Sequence, residues 1–85
     1  MKVRPLKEKQ RQKLIKWGLE KAYDKNVKLF EKNVRHPSLH YEIKKGTEHL
    51  NPVLRSFRIN DQYRVEGYEL GNEFNPIKVS NHYDD

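Results

Sequence analysis

Two arginines and a histidine in the last third of the chain are the residues best suited to chemistry. Arg58 and Arg64 lie in alternating apolar and polar runs, each facing away from the apolar side chains and with no obvious acidic partner. Unpaired charges are costly in a fold, so the two arginines predict a bound anion, with phosphate as the leading candidate. His82 and Tyr83 end the last run, and a histidine can transfer protons near neutral pH.

The connection between the two arginine-bearing runs decides which side chains face each other. A three-residue loop at 60–62 pairs Phe57 with Val65 and puts the apolar residues on one face, which is what fixes register in a half-buried sheet. The same register places Arg58 directly opposite Arg64. Like charges in that position destabilise a strand pair, so stability alone gives no reason to keep them.

The same alternation gathers further polar residues on the face opposite the core. This predicted set combines candidate bases, acids and anion-binding cations. Its members are His40, Glu42, Lys44, Arg58, Arg64, Lys78, Ser80 and His82. The plain alternative is that any solvent-facing side of a sheet is polar, and it applies most strongly to His40, which follows Pro37 closely.

Two kinds of periodicity predict the elements that must position these residues. Apolar residues recur at steps of three and four as far as residue 34, with an interruption at Gly18, which predicts helices over roughly 6–17 and 19–34. Four lysines share one stripe of the second helix, away from its apolar side: Lys21, Lys25, Lys28 and Lys32. Pro37 ends helical structure, because the residue before a proline is disfavoured in the helical conformation.

After Pro37 the period is two, and Gly71-Asn72 marks a tight turn. The predicted fold class is α+β, an N-terminal helical pair packed on one face of a four-stranded, mostly antiparallel twisted sheet. Residues 1–4 can add a short further strand.

Composition indicates one small domain over residues 1–85 with a basic first half. Residues 1–35 hold 12 Lys/Arg against 4 Asp/Glu, whereas residues 36–85 hold 6 against 8, which favours a polyanion or an acidic protein partner. The chain has no cysteine and no apolar run at its start, so we expect a cytoplasmic protein without a membrane partner. His36 and His40 flank Pro37 and are not presented on a regular helix, so no metal or other cofactor is expected.

Four strings in order resemble the RelE/ParE superfamily of bacterial toxin–antitoxin toxins, over roughly residues 10–85. The strings are His36-Pro-Ser-Leu39, Ile43-Lys-Lys-Gly46, Arg55-Ser-Phe-Arg58-Ile-Asn-Asp-Gln-Tyr-Arg64-Val and Val79-Ser-Asn-His82-Tyr-Asp. The resemblance implies a helix pair on a twisted antiparallel sheet, and a toxin neutralised by a cognate antitoxin in a hetero-oligomer. It also implies either cleavage of messenger RNA on the ribosome, in the RelE-like branch, or inhibition of DNA gyrase, in the ParE-like branch.

In the RelE-like branch, favoured here, the resemblance implies roles for individual residues. The catalytic candidates are Arg58, Arg64, His82, Tyr83 and Glu42. The candidates for binding messenger or ribosomal RNA are Lys44, Lys45, Lys78, Lys21, Lys25, Lys28 and Lys32.

RNA can be cut without a metal, because its 2′-OH can attack the adjacent phosphorus. Glu42 or His82 is the candidate general base, His82 or Tyr83 the candidate general acid, and Arg58 and Arg64 would bind the phosphate. The alternatives are a gyrase inhibitor, which needs no acid–base groups, and a non-enzymatic nucleic-acid-binding module. Single-stranded binders display aromatic residues on the open side of a sheet, where only Tyr68 is a candidate.

Overall fold

Two helices and five strands make up the fold of residues 1–81, the part of the chain that this computed structural model describes. The elements are β1 (Lys2–Val3), α1 (Glu8–Lys16), α2 (Glu20–Lys32), β2 (Glu42–Ile43), β3 (Arg55–Arg58), β4 (Tyr63–Leu70) and β5 (Glu73–Asn81). The predicted α+β class is confirmed. His82 and Tyr83 lie outside the described residues.

The sheet is mixed and has five strands in the order β1-β5-β4-β3-β2, so the prediction of four strands was short by one. The extra strand is β1, which pairs parallel to β5, whereas the other neighbours are antiparallel. Its two residues are too few for a period-two signal. Two hydrogen bonds hold it: the Val3 N–H donates to the Glu31 side-chain carboxylate at 2.9 Å, and the Arg4 N–H donates to the Phe74 carbonyl at 2.9 Å.

The register predicted for the central strands is confirmed. Phe57 pairs with Val65, and Arg58 pairs with Arg64 across β3 and β4. The loop closes as expected, with the Ile59 N–H donating to the Tyr63 carbonyl at 2.9 Å. Gly71, with a φ of 62°, opens the predicted two-residue turn between β4 and β5, a conformation that favours glycine.

The core lies between the helices and one face of the sheet. Phe30 of α2 stacks on Phe57 at 4.7 Å between ring centroids and meets Phe74 edge-on at 5.5 Å, and all three rings are fully buried. Burial of a phenylalanine side chain contributes about 1.5–3 kcal/mol, so this cluster anchors α2 to the sheet. The opposite side of the sheet carries no helix of residues 1–81, and we call it the open face.

A bulge separates two halves of the open face. The pairing of β4 with β5 shifts between Glu66 and Gly67. A Cβ on Gly67 would overlap the Asn75 carbonyl oxygen, so the close approach of the two backbones requires glycine there.

The helices are shorter than predicted, and the segment after Pro37 differs most. Gly18, with a φ of 67°, separates the helices as expected. A single 3-10 turn, Pro37–Leu39, replaces the start of the predicted strand, and His40 follows with a φ of 45°. The alternation expected from residue 39 therefore begins only at Glu42, and Ile43, predicted for the core side, is 42% exposed.

Within residues 1–81, none of the helices has the length and apolar character needed to cross a bilayer.

Candidate functional site

The open face contains a groove of about 530 Å³ between β2, β3 and β4. We call it the arginine groove. Its lining residues are Glu42, Ile43, Lys44, Lys45, Ser56, Arg64 and Glu66. Four of the residues predicted from the sequence therefore meet at one place: Glu42, Lys44, Lys45 and Arg64.

Arg64 has an acidic partner, which corrects the expectation that both arginines lack one. Its Nη1 donates to Glu42 Oε1 at 2.6 Å and lies 3.5 Å from the Ser56 hydroxyl. The Arg64 side chain is 14% exposed, and its Nε has no hydrogen-bond partner within residues 1–81. The guanidinium is thus fixed in the sheet, with part of its donor capacity unused.

Glu42 covers this guanidinium from the solvent side. Its side chain is 55% exposed. The hydrogen bond from Arg64 lowers the pKa of the Glu42 carboxyl below its ordinary value. Desolvation opposes this shift, and the charges of Arg64, His40 and Arg58 add to it. Glu42 is therefore ionised at neutral pH, and while it is bonded to Arg64 it is a weaker base than an ordinary glutamate. Because its side chain is exposed, this ion pair can exchange for another anion at modest cost.

Arg58 extends the positive charge of the groove along the sheet. It lies opposite Arg64 in the pairing of β3 with β4, and it is close enough to Glu42 to influence that pKa. Within residues 1–81, no carboxylate lies within ion-pair distance of its guanidinium. Two opposed arginines therefore share one exposed carboxylate, and this leaves an excess of positive charge on the open face.

Glu66 is the most buried charged group of the groove and was not among the residues predicted for the site. Glu66 is 6% exposed, and its Oε2 accepts hydrogen bonds from Lys44 Nζ at 2.9 Å and from the Ser80 hydroxyl at 2.9 Å. The alternation of β4 places Glu66 on the same face as Arg64, so the signal was present in the sequence. A buried carboxylate with two donors fixes the position of the Lys44 ammonium group.

Hydrogen bonds within the loop that follows β2 hold the backbone of Lys44 in position. The Lys44 N–H donates to the Leu54 carbonyl at 2.8 Å. The Thr47 hydroxyl donates to the Lys44 carbonyl at 2.7 Å and accepts from the Leu54 N–H at 3.2 Å. Gly46, with a φ of 87°, makes the turn that brings these groups together.

The remaining predicted residues of the open face lie around the groove. Lys78 is exposed and is the backbone partner of Glu66 on β5. His40 is exposed at the end of the 3-10 turn, before β2 begins, rather than on a strand. The bases and acids predicted at positions 82 and 83 lie outside the described residues.

The four lysines of α2 do not belong to the arginine groove. They line a shallow groove of about 540 Å³ on the outer side of the helix, together with Asp24 and Leu29. We call it the lysine groove. All four lysines are exposed, as the predicted stripe requires: Lys21, Lys25, Lys28 and Lys32. Since α2 packs on the other face of the sheet, the two grooves lie on opposite sides of the molecule.

His36, which lies outside the open face, has a structural role. The Nδ1 atom of His36 accepts from the Ser38 N–H at 3.2 Å, which caps the 3-10 turn. Across residues 1–81, no three His, Cys, Asp or Glu residues are placed to hold a metal ion together.

Comparisons of the chain with protein-family models, with curated proteins and with solved structures find no match.

Proposed function

We propose that this chain is a RelE-like toxin of a toxin–antitoxin pair, a metal-independent endoribonuclease that cleaves messenger RNA on the ribosome and so inhibits translation. The observation that carries the proposal is the arginine groove. It combines Arg64, an ionised and exposed carboxylate and a fixed ammonium group, on the side of the sheet that no helix of residues 1–81 covers. Arg58 does not line the groove but lies next to it, opposite Arg64 in the pairing of β3 with β4. These are the groups that phosphate binding and proton removal require.

The free protein holds Glu42 where a phosphate would bind. A phosphate oxygen that approaches Arg64 would replace the Glu42 carboxylate and use the planar donor geometry of the guanidinium. The released Glu42 could then accept the proton of a nearby 2′-OH. Binding of the substrate and release of the base would be one event.

The chemical step needs no other reactant. The 2′-oxygen gives its proton to Glu42 or His82 and forms a bond to phosphorus, and the bond from phosphorus to the 5′-oxygen breaks. His82 or Tyr83 gives a proton to that leaving oxygen. Arg58 and Arg64 stabilise the added negative charge on the phosphate, which is often the largest contribution to such a reaction.

Lys44 would steer the RNA backbone from a fixed position. The Glu66 carboxylate neutralises much of the charge of Lys44. Lys44 would therefore position the RNA backbone by a directed contact and add little to the net charge of the groove. Lys45 and Lys78 are exposed and would contribute through long-range attraction.

The lysine groove suits a second, larger RNA surface. It lies on the opposite side of the molecule from the arginine groove. Its lysines would contact ribosomal RNA while the messenger occupies the open face of the sheet. The same basic surface, with half-buried Leu29 at its centre, would also suit an acidic antitoxin segment.

Two assays on the purified chain test the proposal together. One measures cleavage of a messenger bound to ribosomes, and the other measures DNA supercoiling by gyrase. We expect messenger cleavage and normal supercoiling. Inhibited supercoiling with an intact messenger would assign the chain to the gyrase-inhibiting branch, and no effect in either assay would contradict both activities.

A further inference from the structure

A second groove lies on the open face, where β1, β4 and β5 meet. It has a volume of about 220 Å³, and we call it the tyrosine groove. Four of its lining residues carry the argument: Arg4, Lys7, Tyr68 and Asn75. None of them has a role in the cleavage step described above.

The sheet register sets three of these side chains side by side. Tyr68 of β4 pairs with Asn75 of β5. Val3 pairs with Phe74, so Arg4 follows beside Asn75 on the outer strand. Since Val3 and Phe74 point into the core, the alternation directs Arg4, Asn75 and Tyr68 to the open face.

The Tyr68 side chain differs from two other tyrosines of the fold in its partners. It is half-buried and contacts no other aromatic ring of residues 1–81, whereas Tyr41 and Tyr63 both pack against aromatic neighbours. Its hydroxyl makes no hydrogen bond there either. A half-buried aromatic ring without an aromatic partner keeps part of its flat surface available for a base to stack on.

The neighbours of Tyr68 supply the other contacts that a nucleotide needs. Asn75 presents a carboxamide whose Nδ2 makes only a long hydrogen bond, 3.4 Å, to the Glu73 carbonyl, so its donors and acceptor are available to a base edge. Arg4 is 3.8 Å from the Glu73 carboxylate in an exposed ion pair, which is weak and open to exchange with a phosphate. Lys7 adds a second exposed cation.

The position of the tyrosine groove connects it with the arginine groove. Tyr68 is two residues from Glu66 on the same face of β4, a distance of about 7 Å along a strand. Lys78, opposite Glu66, lies on β5 between the two grooves. A single strand of RNA bound by Arg64 could therefore continue past Lys78 to Tyr68.

We propose that the tyrosine groove binds one unpaired nucleotide of the RNA substrate, with its base stacked on Tyr68, its edge read by Asn75 and its phosphate held by Arg4 and Lys7. The proposal rests on the function proposed above, because it takes the same RNA strand as its ligand. It adds a determinant of which sequence is cut.

The test is the affinity of the full chain for a short single-stranded RNA carrying 2′-O-methyl groups, which prevent cleavage, measured by fluorescence anisotropy. Tyr68→Ala should weaken binding by about 5- to 150-fold, the range for loss of one stacked base. Tyr68→Phe keeps the ring and should bind as wild type does. Leu70→Ala, two residues further along the same face and 63% exposed, is the matched control and should also bind normally.

A series of RNAs with one base removed at each position in turn identifies the stacked nucleotide. One abasic RNA should bind wild type as weakly as the intact RNA binds Tyr68→Ala, and that variant should be insensitive to the same lesion. Equal affinity of wild type and Tyr68→Ala for every RNA would overturn the nucleotide site, and so would a preference of the groove for acidic peptides over RNA.

The two proposals fail in distinguishable ways. Loss of the Tyr68 effect while wild type still cuts an unmodified messenger would remove the nucleotide site and leave the nuclease. Binding that depends on Tyr68, without any cleavage, would keep the nucleotide site and remove the nuclease. No binding of the short RNA by the wild-type chain would overturn the nucleotide site, and no cleavage of a ribosome-bound messenger would overturn the nuclease.

Discussion

The arginine groove and the lysine groove are both basic, but they are built differently. In the arginine groove, carboxylates lie among the cations, with Glu42 bonded to Arg64 and Glu66 bonded to Lys44. In the lysine groove, four exposed lysines share a single aspartate, and none of them forms an ion pair within residues 1–81. The first arrangement fixes groups at defined positions, as chemistry requires, whereas the second provides only charge.

This difference predicts how each region responds to change. Residues of the arginine groove and its rim should act on the reaction rate and on stability, one by one and by unequal amounts. The lysines of α2 should act on affinity alone, additively and in proportion to their number, and their effect should disappear at high salt.

The largest effect is expected for His82→Ala. If His82 is an acid or base of the reaction, its removal should lower the cleavage rate by about 10²–10⁴-fold, the usual contribution of such a group. Single-turnover cleavage of a ribosome-bound messenger measures this. Lys28→Ala is the control from the lysine groove and should leave the single-turnover rate at saturating ribosomes unchanged. Wild-type activity of His82→Ala would remove that histidine from the mechanism.

The salt dependence of RNA affinity should show how many phosphates the lysine groove contacts. Replacing Lys21, Lys25, Lys28 and Lys32 together by glutamine should reduce the slope of log affinity against log salt concentration by about 3, since each neutralised phosphate of a single strand contributes about 0.7. The measurement is ribosome or ribosomal RNA binding at several salt concentrations. An unchanged slope would show that these lysines do not contact RNA.

The next largest difference between the two grooves should be in the free energy of unfolding. Lys44→Ala leaves Glu66 buried with Ser80 as its one remaining donor among residues 1–81, so we expect a loss of about 1–3 kcal/mol in the free energy of unfolding. Lys28→Ala removes an exposed charge and should change it by less than about 0.5 kcal/mol. Urea unfolding of the two variants beside wild type gives both values. Equal effects would mean that the pair of Lys44 with Glu66 does not anchor the groove.

The smallest effect concerns Glu42 and pH. Because Arg64 lowers the pKa of the folded Glu42 carboxyl, the pair stabilises the fold above the ordinary glutamate pKa, and this contribution is lost as pH falls through the folded value. The side chain is 55% exposed, so the contribution should be a few tenths of a kcal/mol. Urea unfolding of wild type and Glu42→Gln should differ slightly at pH 7 and converge in acid. If the difference in unfolding free energy between the two proteins grew as pH falls, the pKa of Glu42 would be raised by folding rather than lowered.

The sequence predicted the centre of the fold because the signals there are local. Alternation and a three-residue loop are enough to pair Arg58 with Arg64, and a helical stripe is enough to align the lysines of α2. Both features follow from periodicity within a few residues of each other. The prediction of the α+β class depends on the same local patterns.

What the sequence did not predict depends on contacts between distant segments. The bond from Arg64 to Glu42 joins residues 22 positions apart through a loop with no periodic pattern, and the bond from Lys44 to Glu66 does the same. A short further strand was expected at residues 1–4, but its two residues are too few to predict that it pairs parallel with β5. Glu66 was on the predicted face but was passed over, because its burial follows from donors on two other segments.

The central claim is that the arginine groove cuts RNA by attack of its own 2′-OH, and one measurement tests it most directly. The full chain is given a ribosome-bound messenger together with a chelator that removes transition metals but leaves the ribosome's magnesium in place. In a second messenger, the nucleotide at the cleaved position carries a 2′-deoxy sugar. We expect products that end in a cyclic 2′,3′-phosphate, and no cleavage at the 2′-deoxy position. Continued cleavage at that position would contradict the mechanism.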